Sequence, residues 1–255
     1  MNRIAAIASN TFRETIRDKI LYSIIFFACI VIVGSLVMEE VTIGDQEKVV
    51  RSIAQGGIRV FGSVIALFLG IGLVYKELER KTIYTIASKP LPRWNFIVGK
   101  YAGLMGVLGL ELLLMGLFYV VVIGARQGMP HGSLYISWLM LYLELGLLTA
   151  WALLFSCYSK PTTAALFSMA VWLIGHLADD IWLFGQEAES ALMRSTSEVI
   201  YWILPNFEVF NGSAAAVHEL PITLGHFAGV ALYGAGYTAA VLAVAVMVFS
   251  KRDFK

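Results

Sequence analysis

Charge is scarce in this sequence. Only 15% of the 255 residues are Asp, Glu, Lys or Arg, against 58% hydrophobic residues and a mean hydropathy of +0.75. A globule of that length needs more polar surface to stay in water, so a soluble domain is excluded and a polytopic membrane protein is expected. The net charge is +1 and the Lys/Arg are scattered through connecting segments. Neutralising phosphates needs a concentrated basic face, so a nucleic-acid partner is not expected. Only two cysteines occur, Cys29 inside one apolar run and Cys157 at the end of another, which leaves no disulfide framework or cysteine metal site. The phosphate-cradling G-x-x-x-x-G-K-[ST] loop, the H-E-x-x-H pair and the G-x-S-x-G elbow are all missing. Internal repeats and low-complexity tracts are missing too.

What the sequence has is long apolar runs. Six can cross about 30 Å of hydrocarbon at about 1.5 Å per residue: roughly 20–38, 58–75, 101–124, 135–157, 162–183 and 226–250. An even number puts both termini on one side. The N-terminus, the segment 76–100, Lys160 and the tail "KRDFK" carry fourteen Lys/Arg, whereas Lys48, Arg51, Arg59, Arg126 and Arg194 are the five opposite. The positive-inside rule then makes both termini cytoplasmic. No small-residue cleavage site follows the first run, so that run is expected to be a retained anchor.

The expected fold is an all-α membrane protein forming a single transmembrane domain over 1–255. Residues 1–19 place Ile4, Ala8, Phe12, Ile16 and Ile20 on one face, with Arg3, Arg13 and Arg17 on others, the pattern of an interfacial elbow helix. Within the outer loop 184–225, "SEVIYWILPNFEVFN" (197–211) is too short and too aromatic to span. It reads as re-entrant half-helices broken at Pro205, or as an ordinary loop with a sticky patch. Small residues at Ala102/Gly106 and Gly225/Gly229 allow close helix approach without naming a partner.

Two carboxylates lie deep inside the runs, far from their ends. Glu111 and Glu144 both fall about 15 Å deep at about 1.5 Å per residue, level with each other. Each must be protonated, paired or facing a wet cavity, so they either line a polar transport path or hold helices together. Arg59, read at the outer end of the second run, has Glu39 and Glu40 or Asp179 and Asp180 as candidate ion-pair partners within snorkelling reach of water. His131, His176, His218 and His226 map to the outer half without ligand spacing, so no metal site is expected.

The segment "KELERKTIYTIASKPLPRWNFIVGK" (76–100) holds six Lys/Arg and two Glu between two apolar runs, and Pro90 and Pro92 break it. By itself it is either a solvated connector that enforces topology or a lever across two spans. The order Glu77, Glu79, Thr82, Pro90, Arg93, Gly99, Lys100 resembles the E-x-E-x-x-T…P-x-x-R…G-K pattern of the ABC-2 permeases, the membrane subunits of type-2 ABC exporters. Lys81 stands where many members have Gly. "YSKPTT" (158–163), "LPNFEVFN" (204–211) and "FSKRDF" (249–254) extend the resemblance along nearly the whole chain.

The resemblance implies that 76–100 is a cytoplasmic coupling helix in which Glu77, Glu79, Thr82, Pro90, Arg93 and Lys100 serve attachment to a separate ABC ATPase subunit. That partner, in two copies, would hold the ATP and Mg, so this chain would bind no cofactor and catalyse nothing alone. It further implies a second permease copy or a paralogue as partner, a bacterial or archaeal plasma membrane as the site, and export of a substrate the sequence does not name. An ion-coupled secondary carrier using Glu111 and Glu144 is the alternative, with the missing inverted repeat against it. A membrane-embedded enzyme is the other, but Asp179–Asp180 lacks the further acidic residues such a site needs.

Overall fold

Lipid offers no partner for backbone N–H and C=O groups, so a crossing segment must pair them internally, and helices do this within one segment. The computed structural model describes residues 3–41, 44–79 and 92–251, and every regular element among them is helical. In chain order these are α1 (Arg3–Ile16), α2 (Lys19–Val41), α3 (Gln46–Glu79), α4 (Arg93–Gln127), α5 (Gly132–Tyr158) and α6 (Pro161–His176). Next come α7 (Ala178–Glu187), α8 (Ala191–Ile203), a 3-10 turn (Glu208–Phe210), α9 (Ser213–Val217) and α10 (Leu224–Lys251).

Single helices long and apolar enough to cross a membrane are four in number among the described residues, on α3, α4, α5 and α10. The pairs α1–α2 and α6–α7, each bent by 63°, bring the total to six if each pair is one span. The six crossings expected from the apolar runs are the upper end of that range.

Helix ends depart from the apolar runs where polar residues can still satisfy a helix. α3 begins at Gln46 rather than near 58, with Glu47 in its first turn, where a carboxylate suits the positive end of the helix dipole. Arg51 pairs with Glu47 one turn on, at 3.8 Å. The run 162–183 is divided: α6 starts with Pro161 in its first turn and ends at His176, and Leu177 turns the chain into α7. The chain does break near Pro205, but α8 gives way to a 3-10 turn and the five-residue α9, not to a second half-helix.

α5 is the axis of the bundle. Its apolar window is 78% buried, against 28% for α10, which lies at the edge. α3 meets α5 most closely at Gly70, where a Cβ would lie 2.5 Å from the Ala152 Cβ. α1 packs on a glycine face of α4: a Cβ at Gly103 would fall 2.6 Å from the Ala8 carbonyl oxygen and 2.7 Å from the Thr11 Cβ. Apolar side chains gain little by leaving lipid for each other, so helix association here depends on such backbone approach. Gly225 and Gly229 on α10, by contrast, have nothing within 4 Å among the described residues.

Arg51 ties three segments together. Its Nε donates to Gln127 Oε1 at the end of α4 (2.9 Å), and its Nη1 to Glu219 Oε1 in the loop before α10 (2.6 Å). Arg51, by hydrogen bond and by charge, holds the Glu219 carboxyl below its ordinary value.

Replacing Gly103 with Leu should destabilise the protein by about 1–3 kcal/mol through overpacking of α1, whereas Gly56→Ala, with open space around it, should be tolerated; melting in detergent measures both. The Arg51–Glu219 bridge contributes stability above the usual Glu range and loses it as pH falls through the lowered Glu219 value. Melting temperature against pH should therefore fall less steeply on the acid side in Glu219→Gln than in the parent, by the small amount expected of an exposed pair.

Candidate functional site: a buried ion pair under the loop between α8 and α9

Because α3 begins at Gln46, Arg59 is not at a helix end. It stands more than three turns inside α3, about 20 Å along at 1.5 Å per residue. Its side chain is only 15% exposed and meets Glu144, which is 0% exposed and near the middle of α5. Arg59 Nη2 lies 3.1 Å and Nε 3.2 Å from Glu144 Oε2, a two-nitrogen grip that the planar guanidinium provides and an ammonium cannot. The other carboxylate oxygen, Oε1, is 3.2 Å from His176 Nε2 at the end of α6. The second ring nitrogen of His176 is 2.8 Å from the Trp172 carbonyl oxygen, which orients the imidazole.

The hub also holds the loop between α8 and α9. Arg59 Nη2 donates to the Phe207 carbonyl oxygen at 3.3 Å and lies 3.6 Å from Glu208 Oε2. Phe207 N–H donates to Gly175 O (2.9 Å), and the Phe207 ring lies where a Cβ on Gly175 would stand. Phe207 and Phe210 are buried, so the segment is plugged into the bundle by two rings and one cation. Asn206 completes the seat: its Nδ2 donates to Asp179 Oδ1 (2.7 Å), its N–H to the Tyr233 hydroxyl (3.0 Å), and its Oδ1 accepts from Glu208 N–H (2.9 Å). Tyr237 donates to the Ile203 carbonyl and Asn211 to Glu208.

A cavity with room for about one water opens beside the pair, lined by Gln55, Arg59, Ser137, Glu144 and Asn211. Gln55 is buried, and among the described residues its amide nitrogen has no hydrogen-bond partner.

Of the expected partners of Arg59, Asp179 bonds Asn206 instead, and among the described residues Arg59 reaches Glu144 and Glu208, because the early start of α3 carries the cation into the bundle. Asp180 is exposed on α7. The side chains of Glu39 and Glu40 lie outside the described residues. Glu111 and Glu144, level in the sequence, have unlike surroundings. Glu111 is 2% exposed, and neither of its oxygens has a hydrogen-bond partner among the described residues.

Of the residues implied for attachment, Thr82 and Pro90 lie outside the described residues, as do the side chains of Glu77, Glu79 and Arg93. Lys100 is buried, with its ammonium 5.5 Å from the centre of the Phe96 ring. His176, Asn206 and Glu208 do not stand out in the sequence as members of one site. Their signal is present in part, since polar Asn and Glu sit inside the aromatic "LPNFEVFN" segment. No group of three or more His, Cys, Asp or Glu able to hold a metal occurs among the described residues.

An all-helical bundle with membrane-length helices is the architecture of an integral membrane protein. The sequence model described as "ABC-2 family transporter protein" matches residues 5–254, and the chain belongs to that family. No curated protein matches it. Membership makes the chain the permease component of an ABC-type transporter, a non-catalytic transport subunit that associates with an ATP-binding subunit.

Removing either partner of the pair leaves the other buried and uncompensated. Arg59→Gln and Glu144→Gln should each destabilise the protein by about 3–5 kcal/mol, and the Arg59→Met/Glu144→Leu double variant should recover most of that loss. Unfolding in detergent measures these losses, and Arg59→Gln/Glu144→Gln, measured beside the two single variants, closes the double-mutant cycle that gives the coupling.

Proposed function

We propose that this chain is the membrane-spanning subunit of an ATP-driven exporter in a bacterial or archaeal plasma membrane, with both termini cytoplasmic. Two ATPase subunits bind and hydrolyse ATP with Mg, and a second copy of this chain supplies the other membrane half. The observation that carries the reading is the family match along 5–254 in a sequence that has no phosphate loop of its own.

The lever is α3. The segment 76–100 takes the push of the closing ATPase pair through Glu77, Glu79, Thr82, Pro90, Arg93 and Lys100. α3 runs 34 residues from that segment, about 50 Å as a helix, and carries Arg59. A shift of α3 against α5 strains the Arg59–Glu144 grip and loosens the loop that Arg59 holds by Phe207 and Glu208. Interfaces of this kind switch between discrete packings rather than deform smoothly. Opening of the outer face is thereby tied to nucleotide state, and the wet hub beside Gln55 is the polar point on the route.

Glu111 gives a specific reason to weigh an ion-coupled carrier as the second reading, since its carboxyl is buried without a hydrogen-bond partner among the described residues. The commitment of Glu144 to Arg59 argues against it, because a carrier residue must release its partner each cycle.

Purified with its genomic neighbours, the chain should bring down a phosphate-loop ATPase and move substrate in vesicles only with ATP. The double replacement Glu79→Lys/Arg93→Glu should lose both attachment and flux. Undiminished attachment and flux in that variant, or flux driven by an ion gradient without nucleotide, would overturn the reading.

A further inference from the structure

Among the described residues two buried acids stand at mid-helix, and only one of them has a cation. Glu144 is gripped by Arg59 on one oxygen and faces His176 on the other. Glu111, near the middle of α4 (Arg93–Gln127), is 2% exposed, and among the described residues neither oxygen has a hydrogen-bond partner. Its wall is apolar. Oε1 lies 3.9 Å from where a Cβ on Gly62 would stand, and the Leu145 side chain shares that space at 3.3 Å. Leu108 and Met115, one turn before and after on the same face of α4, are fully buried.

The charged groups within range are already engaged. On α3, Arg59 stands one turn from Gly62 and is committed to Glu144 and Glu208. On α5, Glu144 is itself an acid, and Tyr142 donates its hydroxyl to the Met105 carbonyl oxygen. On α4, Lys100 is three turns away, about 16 Å along the helix. A carboxylate sealed in such surroundings has neither counter-ion nor donor among the described residues, and the chemical escape open to it is to take up a proton.

We propose that Glu111 is an intramembrane proton site: the side chain is carried as the neutral carboxylic acid between α3, α4 and α5, while Glu144 on α5 is held by Arg59. The proposal is independent of which energy source drives transport. The site takes a proton, and the neutral acid is the form that reacts with lipid-soluble carbodiimides. In that reaction the carboxyl O–H proton goes to one carbodiimide nitrogen and the carboxyl oxygen bonds the central carbon. The acyl group then migrates to nitrogen, giving an N-acylurea with no leaving group and no redox change.

Infrared spectroscopy of the purified full chain in lipid tests the assignment. The parent should show a carboxylic-acid C=O band above the amide envelope that is lost in Glu111→Gln and kept in Glu111→Asp and Glu144→Gln. Treatment with dicyclohexylcarbodiimide followed by peptide mass analysis should place the adduct on Glu111 and not on Glu144. The proposal is overturned if Glu111→Gln removes a carboxylate band and leaves the acid bands intact, or if the adduct forms on Glu144 with Glu111 unmodified.

Discussion

A charge inside hydrocarbon must bring its own partner, and the Arg59–Glu144 pair is how this bundle meets that demand. Either ion alone at the centre of a span costs about 2.5–3.5 kcal/mol on insertion scales. Together, with two nitrogens on one oxygen and His176 on the other, they become a joint between α3, α5 and α6. The same guanidinium then reaches the Phe207 carbonyl, so the loop after α8 is attached to a polar group buried inside the bundle. Displacing Arg59 would disturb three helices and the loop at once.

Elsewhere the helices are held by closeness. Gly70 against Ala152 and Gly103 against Ala8 and Thr11 bring backbones together where a larger side chain would hold them apart. This suits a protein whose apolar side chains are equally at home in lipid, since dispersion between backbones is a gain that lipid contact does not duplicate. It also divides the molecule mechanically. α1 and α4 are locked by glycine contacts, whereas α3 and α5 share both a glycine contact and the ion pair, so their relative position is sensitive to the charge state of two side chains. For a permease of an ABC-type transporter, that is a natural place for a conformational change to be felt.

Composition and run length determined the class. So few charges over so many apolar residues allow only a helical membrane protein, and the order of motifs along the chain pointed to the ABC-2 family. The acids Glu111 and Glu144 were visible as well, because a carboxylate in an apolar run is conspicuous wherever it lies. Which of them has a cation was decided only by the tertiary structure. Hydropathy marks where a helix can meet lipid, not where it begins, and the polar first turns of α3 run unseen from Gln46 to the apolar stretch. That difference carries Arg59 from the outer rim into the bundle, and the fold of a later segment brings Phe207, Glu208 and His176 to it across more than a hundred residues. Such contacts depend on how helices are placed side by side, which is a matter of packing and cannot be read from the spacing of residues within any one of them.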